Sequence, residues 1–472
     1  MLPVRKNATF VIETVNEYFE MNMKAIVCSS LLFLLAVPGL CQISGSWKGK
    51  LEIAPQKSLN LVLHFNNEQS DTTVVTLDSP DQGARGISCE VKHVSSDSVS
   101  ISIPTLYMAY TGRVVEGKLV GTFVQGAFRK SLTFEPGEVV QNRPQTPQPP
   151  FPYSTEELRI ENTAGKSVLA GTLTLPETYD ENTPLVVMLT GSGLQNRDEE
   201  LFGHRPFAVI ADYLARRGIA SMRYDDRGFA GSTGDVTAAT ISDFTSDALA
   251  VVKYLQQQRQ FANVGLLGHS EGGLVAFRLA SDADNGLKFV VGIGAPAVRG
   301  DSILVWQSRF ELLRNGLFGD VASDYCTALA RMYDIINTDG VEAARNYVDN
   351  DLTTLDGDPV RLQLKGNLGQ ILKMMSPYLL EFISLSPAQY ISQTSIPSLV
   401  VYGGKDMQVP PVMNEPAVRA ANPNVEVRTY PHLNHLMQHA QTGATDEYGK
   451  IEETVSPEVL EEISNFVWRQ FE

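Results

Sequence analysis

Cysteine is scarce in this chain, with four residues in 472, and two of these, Cys28 and Cys41, fall near the N-terminus. The other two, Cys89 and Cys326, cannot build a disulfide framework, and neither has a partner at the usual metal-ligand spacing. Basic clusters are missing as well. Lysine and arginine number 38 against 54 aspartates and glutamates, a formal net charge of −16. That balance favours solubility and argues against nucleic-acid or anionic-membrane partners. Long apolar runs are absent too: Ala25–Val37 falls well short of the ~20 residues a membrane-spanning helix needs. No integral span is expected in the mature protein.

That short apolar run has another reading. Lys24 precedes it, and Gly39 and Cys41 supply small residues at the −3 and −1 positions for cleavage before Gln42. Residues 1–41 read as a leader with the signal peptide at 23–41, and the protein is expected to be exported, periplasmic or secreted. The polar stretch Met1–Glu20 does not suit the start of such a peptide, which places translation initiation at Met21 or Met23. Cys41 also offers a lipoprotein anchor, but Leu40 is large where a small residue is wanted.

From 42 to 140 the chain shows short, partly alternating apolar segments. They are Lys50–Ile53, Leu61–Phe65, Thr73–Leu77, Ser98–Ile103, Tyr107–Val114 and Lys118–Phe123, with turn signals at Asp78–Gly83 and Glu116–Gly117. This spacing predicts a small all-β barrel or sandwich. The proline-rich segment 141–153 reads as a stiff linker. The rest, 154–472, predicts an α/β domain.

The most informative stretch lies there: Gly268-His269-Ser270-Glu271-Gly272. Asn263–Leu267 before it is strand-like, and Gly273–Ala280 after it reads as a helix. G-x-S-x-G between strand and helix describes a sharp turn that presents a serine above the sheet. The helix N-terminus beside it favours developing negative charge. Ser270 is therefore the candidate nucleophile.

A serine nucleophile needs a base and an orienting acid. Ser398–Tyr402 predicts a buried strand leading into Gly403-Gly404-Lys405-Asp406, which places Asp406 at the C-terminal end of a strand, where open α/β sheets build their sites. Val425–Tyr430 predicts the next strand, followed by three of the seven histidines, His432, His435 and His439. His435 has five residues of loop with which to reach back over the sheet. His432 is tied by Pro431, and His439 reads as part of a following helix.

The segments Gly-His-Ser-Glu-Gly-Gly, Gly-Gly-Lys-Asp-x-Gln-Val-Pro and Leu-Asn-His-Leu-x-Gln resemble those of bacterial α/β-hydrolases of the serine esterase and serine aminopeptidase-like group. The resemblance runs from about Ser154 to the C-terminus. It implies a mostly parallel doubly wound sheet and a triad of Ser270, Asp406 and His435. It also implies an oxyanion hole made by the backbone N–H groups of Ser192 and Glu271, Ser192 following the apolar strand Pro184–Leu189. Thr190 stands where many relatives have histidine, so what steadies this loop is left open. A further loop, Tyr224–Gly234, resembles a segment that fixes the site's surroundings in the same group. There a buried Asp–Arg pair is expected to engage Asp226 and Arg227. Gln195–Asp198 is read as polar and near the pocket rim.

The strand Lys288–Gly294 and the one starting near Ile396 are separated by roughly a hundred residues, far beyond an ordinary connection. Helical periodicity inside the gap predicts an inserted cap at about 297–390. The expected activity is hydrolysis of a small-molecule carboxylic ester through an acyl-enzyme, with no metal or organic cofactor. An aminopeptidase would want acidic cap residues such as Glu311 or Asp320, and an acyl-thioesterase would use the same machinery. A non-catalytic binding protein, with the β domain as its working part, is the alternative of another class. Oligomeric state, acyl and alcohol identity are not encoded in these motifs.

Overall fold

The computed structural model describes residues 43–54, 57–66 and 73–472. The leader and its cleavage site lie outside the described residues.

The N-terminal part is a closed antiparallel barrel of eight strands. They are β1 (Gly45–Ala54), β2 (Lys57–Asn66), β3 (Val74–Ser79), β4 (Ala84–Val94), β5 (Ser98–Ile103), β6 (Met108–Val115), β7 (Lys118–Gln125) and β8 (Phe128–Pro136). Closure comes from β1 on β8, with Trp47 opposite Pro136 and Gly49 opposite Phe134. Inward positions carry Leu63, Phe65, Val75, Val99, Ile101, Leu119 and Phe134, all buried. Tyr110 is buried among them, edge-on to Phe134, and its hydroxyl donates to the carbonyls of Leu119 and Leu132 at 3.0 and 3.1 Å. Those bonds satisfy a phenol that burial would otherwise penalise. Two strands, β4 and β8, lie outside the sequence expectation. In β4 only Cys89 is buried, so its pattern carries little apolar signal.

The C-terminal part is built on an eight-stranded sheet. Its strands are β9 (Ser154–Asn162), β10 (Ser167–Leu175), β11 (Leu185–Leu189), β12 (Ala220–Tyr224), β13 (Val264–His269), β14 (Val290–Ile293), β15 (Ser398–Gly403) and β16 (Glu426–Tyr430). The spatial order is β16-β15-β14-β13-β11-β12-β10-β9. From β12 to β16 neighbours pair in parallel, while β9, β10 and β12 pair antiparallel. The sheet is thus mixed and doubly wound, as expected. Strand periodicity explains its two buried faces. Leu185, Val187, Leu266, Val400 and Tyr402 join one core, while Val186, Met188, Leu267, Leu399 and Val401 join the other. Helices Ile241–Gln257 and Glu271–Ala280 cover the first face, and Pro206–Ala215 and Pro457–Trp468 the second.

Between β14 and β15 the chain is helical, from Gly300–Arg314 through Asp320–Asp339, Pro359–Lys373 and Pro377–Ser384 to Pro387–Gln393. This insertion has a core of its own, with Leu329, Met332, Leu355, Leu368 and Ile383 buried together. The segment 141–153 is tied down rather than free along its length. Arg143 donates to the carbonyls of Phe202, Gly449 and Ile451, and the Gln145 amide donates to Val455.

Candidate active site

β13 delivers the chain to Ser270 at its C-terminal end, and the helix Glu271–Ala280 leaves immediately afterwards. The turn between them puts Ser270 at φ 53° and ψ −121°, a backbone conformation that L-residues avoid. Its N–H donates to the Ile293 carbonyl at 2.8 Å, which fixes the elbow to β14. Two glycines permit the turn by close approach. A Cβ at Gly268 would be driven into the Gly272 carbonyl, and one at Gly272 into the carbonyls of Leu189 and Thr190.

Asp406 and His435 meet at the end of the neighbouring strands. His435 Nδ1 lies 2.7 Å from Asp406 Oδ2, with both residues buried. The other carboxylate oxygen accepts the N–H groups of Gln408 and Val409 at 2.8 and 2.7 Å. The carboxylate is thereby aimed, and the ring carries its proton on Nδ1, which leaves Nε2 as a base. Gly294 directly follows β14, and a Cβ there would stand 3.0 Å from His435 Nδ1 and 3.3 Å from Asp406 Oδ2. Because Ser270 is bonded to Ile293, elbow and acid–base pair converge on the same strand end.

The His435 loop is a closed knot. Asn434 is fully buried; its side-chain oxygen accepts from Leu436 and Gln438 N–H groups, and its amide donates to Gln438. His439 pairs as an isolated bridge with Leu433 and is not helical, contrary to the sequence expectation. The knot closes the chain back on itself before any helix can start. His439 is exposed with its ring on Glu453, and His432 is exposed as well.

The loop after β11 packs against the elbow: a Cβ at Gly191 would lie 3.2 Å from Ser270 Cβ. Three contacts steady it in place of a histidine at position 190. Thr190 Oγ1 donates to Asp226 at 2.8 Å, the Gln195 N–H donates to Asp226 at 2.7 Å, and the Gly191 N–H donates to Glu199 Oε1 at 2.8 Å. Asp226 therefore serves this loop and does not pair with Arg227. Arg227 takes Asp247 instead, with Nε at 2.6 Å and Nη2 at 3.0 Å. Asp225 holds Arg197 in a second two-pronged pair, and Asp198 engages Arg223, so the segment expected at a pocket rim is anchored by its charges.

Glu271 faces the cap. Its carboxylate accepts the hydroxyls of Ser192 and of Tyr378, a residue on the cap helix Pro377–Ser384. Nearby, Glu381 of the same helix accepts the Ser242 N–H at 2.9 Å and Arg278 at 3.0 Å. Burial pushes the Glu271 carboxyl up to about 7, against the lowering effect of the two hydroxyls. Burial likewise raises Asp226 to about 7. Trp306, Val305 and Ala330 of the cap, with Met413 of the helix Pro411–Ala421, line a separate cavity of about 360 Å³. Glu311 and Asp320 are exposed, and Glu311 is engaged by Arg314.

The raised Glu271 carboxyl has a measurable consequence. The folded protein keeps this proton where the unfolded chain has released it, so stability falls as pH rises from about 4.5 to about 7. Glu271→Gln keeps an acceptor for Tyr378 and removes the titration. Urea unfolding at pH values either side of that window should show the wild type losing on the order of 3 kcal/mol more than the variant. Equal losses would show that the carboxyl titrates normally.

The sequence motifs named Ser270, Asp406, His435, Ser192 and Glu271, and the structure brings these residues to one strand edge. Glu199, Tyr378 and Asp247 had no motif to announce them, since each comes from a remote segment. His269 stood inside the elbow motif with no role attached.

Comparison with known proteins gives a consistent set of likenesses. A family model described as serine aminopeptidase, S33, matches residues 205–441. Esterase EstD of Thermotoga maritima is 26% identical over 357 residues, covering 75% of this chain and 74% of its own. An acyl transferase of Photobacterium leiognathi is 31% identical over 86 residues, 18% of this chain and 26% of its own. Among solved structures, ferulic acid-bound Est1E from Butyrivibrio proteoclasticus is 19% identical, covers 66% of this chain and 98% of its own, and superposes with a TM-score of 0.40.

Proposed function

The chain belongs to the serine aminopeptidase S33 family of α/β-hydrolases, and from that premise we propose that it is an exported serine carboxylesterase. The observation that carries the reading is the aimed Asp406–His435 pair converging with Ser270 on the end of β14. Ester preference is supported by the relative named an esterase across three-quarters of the chain.

In this reading His435 Nε2 takes the proton as Ser270 Oγ attacks the ester carbonyl. Asp406 holds the ring in the needed tautomer and stabilises the imidazolium that forms. The tetrahedral oxyanion sits against the Ser192 and Glu271 N–H groups, the latter at a helix N-terminus. His435 returns the proton to the departing alcohol. Water then attacks the acyl-enzyme by the same path and releases the acid.

Nitrophenyl acyl esters assayed beside aminoacyl-anilides and acyl-thioesters provide the test, with fluorophosphonate labelling to report a competent serine. Turnover of the esters above the other two classes is expected. Anilide turnover exceeding ester turnover would replace this reading with an aminopeptidase. Glu311 and Asp320, the acidic cap residues that alternative would use, are both exposed. Failure of every substrate together with no labelling would favour the binding-protein class.

Export rests on the Lys24–Cys41 pattern alone. Mass spectrometry of protein from the native envelope fraction should find a mature terminus at Gln42. A cytoplasmic protein with an intact Met1 terminus would refute export, and a diacylglyceryl-modified Cys41 would convert it to lipoprotein anchoring.

A further inference from the structure

His269, the residue before the candidate nucleophile, is buried between a carboxyl group and a backbone carbonyl. Its Nδ1 lies 2.8 Å from Glu199 Oε1, and its Nε2 lies 3.0 Å from the backbone carbonyl of His435. Glu199 Oε1 also receives the Gly191 N–H at 2.8 Å. Against an ionised Glu199, a neutral imidazole with one N–H satisfies only one of the two acceptors, whereas an imidazolium satisfies both. One further feature favours the charged form: Glu199 is 1% exposed, and an ionised carboxylate buried there is tolerated only beside a cation. The remaining surroundings are apolar and oppose any unpaired charge: Phe207, Ile210, Ile293, Leu436 and Met437 wall a void of only about 10 Å³.

We propose that Glu199 and His269 form a charged positioning pair that ties the oxyanion loop to the loop carrying His435 and sets a positive charge beside the base. The inference rests on the hydrolase reading above. The chain of contacts runs from Gly191 through Glu199 and His269 to His435, so the two halves of the site are set by one rigid strut. The His269 and His435 rings are 4.7 Å apart between centroids. The charged groups acting on His269 are Glu199 from the loop after β11 and Asp406 from the loop after β15. Burial pulls the His269 imidazole down, but Glu199 and the His435 carbonyl outweigh it and leave it above its ordinary value.

The test uses the full chain, a nitrophenyl ester and rates normalised to fluorophosphonate-titrated sites. His269→Gln retains a donor for the His435 carbonyl and deletes the charge. It should keep kcat within about tenfold and KM within about threefold. His269→Leu deletes the donor as well and should lose about a hundredfold in kcat at similar KM. Wild-type kcat in His269→Leu overturns the strut. A merely structural role would lower the titrated site count and leave kcat per site unchanged. Nitrogen NMR of the wild type, labelled at its histidines, decides the matter even if the variants do not fold. One ring should be protonated at both nitrogens at neutral pH, whereas a singly protonated His269 there overturns the proposal. A wild type that hydrolyses no ester refutes the hydrolase reading and leaves that ring measurement standing.

Discussion

Ser270→Ala should abolish ester turnover while the protein still folds, with a loss on the order of 10⁶ in kcat, the scale seen when one member of a serine triad is removed. The fold should survive because the elbow is held by backbone and glycine contacts that alanine does not disturb: the Ser270 N–H still reaches Ile293, and Gly268 and Gly272 still clear their neighbours. The positive φ at this position is strained for alanine as it is for serine. Unfolding in urea should therefore be little changed. If the purified variant kept even a tenth of wild-type activity, another nucleophile would have to be sought.

The second large effect concerns the base. His435→Ala should cost nearly as much as Ser270→Ala, and the double variant should be little worse than either, because the two groups act as a unit. The other two histidines of the segment are exposed, His439 is engaged by Glu453, and neither is hydrogen-bonded to Asp406. His432→Ala and His439→Ala should stay within about tenfold of the wild type, equivalent to about 1.4 kcal/mol in the barrier. A dead His432→Ala beside an active His435→Ala would reassign the base without touching the fold.

What the sequence made legible follows from where burial is two-sided. β11, β13 and β15 are covered on both faces and read as continuous apolar runs, Leu185–Leu189 and Ser398–Gly403 among them. β9, with the residues STEELRIEN, lies at the sheet edge and keeps most of its side chains exposed. It and its partner β10 had no place in the sequence reading. The barrel strands β4 and β8 have neighbours on both sides but bury only one and two residues, so they too carry little apolar signal.

The candidate site divides along a similar line. Ser270, Asp406 and His435 each sit in a short contiguous motif whose turn chemistry is local. Tyr378 and Asp247 act on residues brought near only by folding, and nothing adjacent in the chain marks them; Glu199 follows the Gln195–Asp198 segment, but its bond to His269 spans seventy residues. The Asp226–Arg227 expectation failed because neighbours in sequence point to different partners: Asp226 to Thr190 and Gln195, Arg227 to Asp247. The helix expected at His439 failed because Asn434 binds the backbone of its own loop, and such side-chain bonds compete with helix formation.

The helical insertion between β14 and β15 has its own buried centre around Leu329, Leu368 and Ile383. Its residues thus pack largely on one another, while Ile303 and Ile391 also join the core beneath the sheet. Lengthening or shortening such an insertion changes the entropy of joining its ends only slowly, by about 0.6 kcal/mol per doubling. Over evolutionary time this segment can be exchanged or remodelled by recombination while Ser270, Asp406 and His435 remain in register on an unchanged sheet. Constraint on it concentrates where it grips the rest of the domain, through Ile303 and Ile391 in the sheet's core and through Tyr378 and Glu381 at its surface. Diversification of substrate range within this architecture therefore has a natural place to happen.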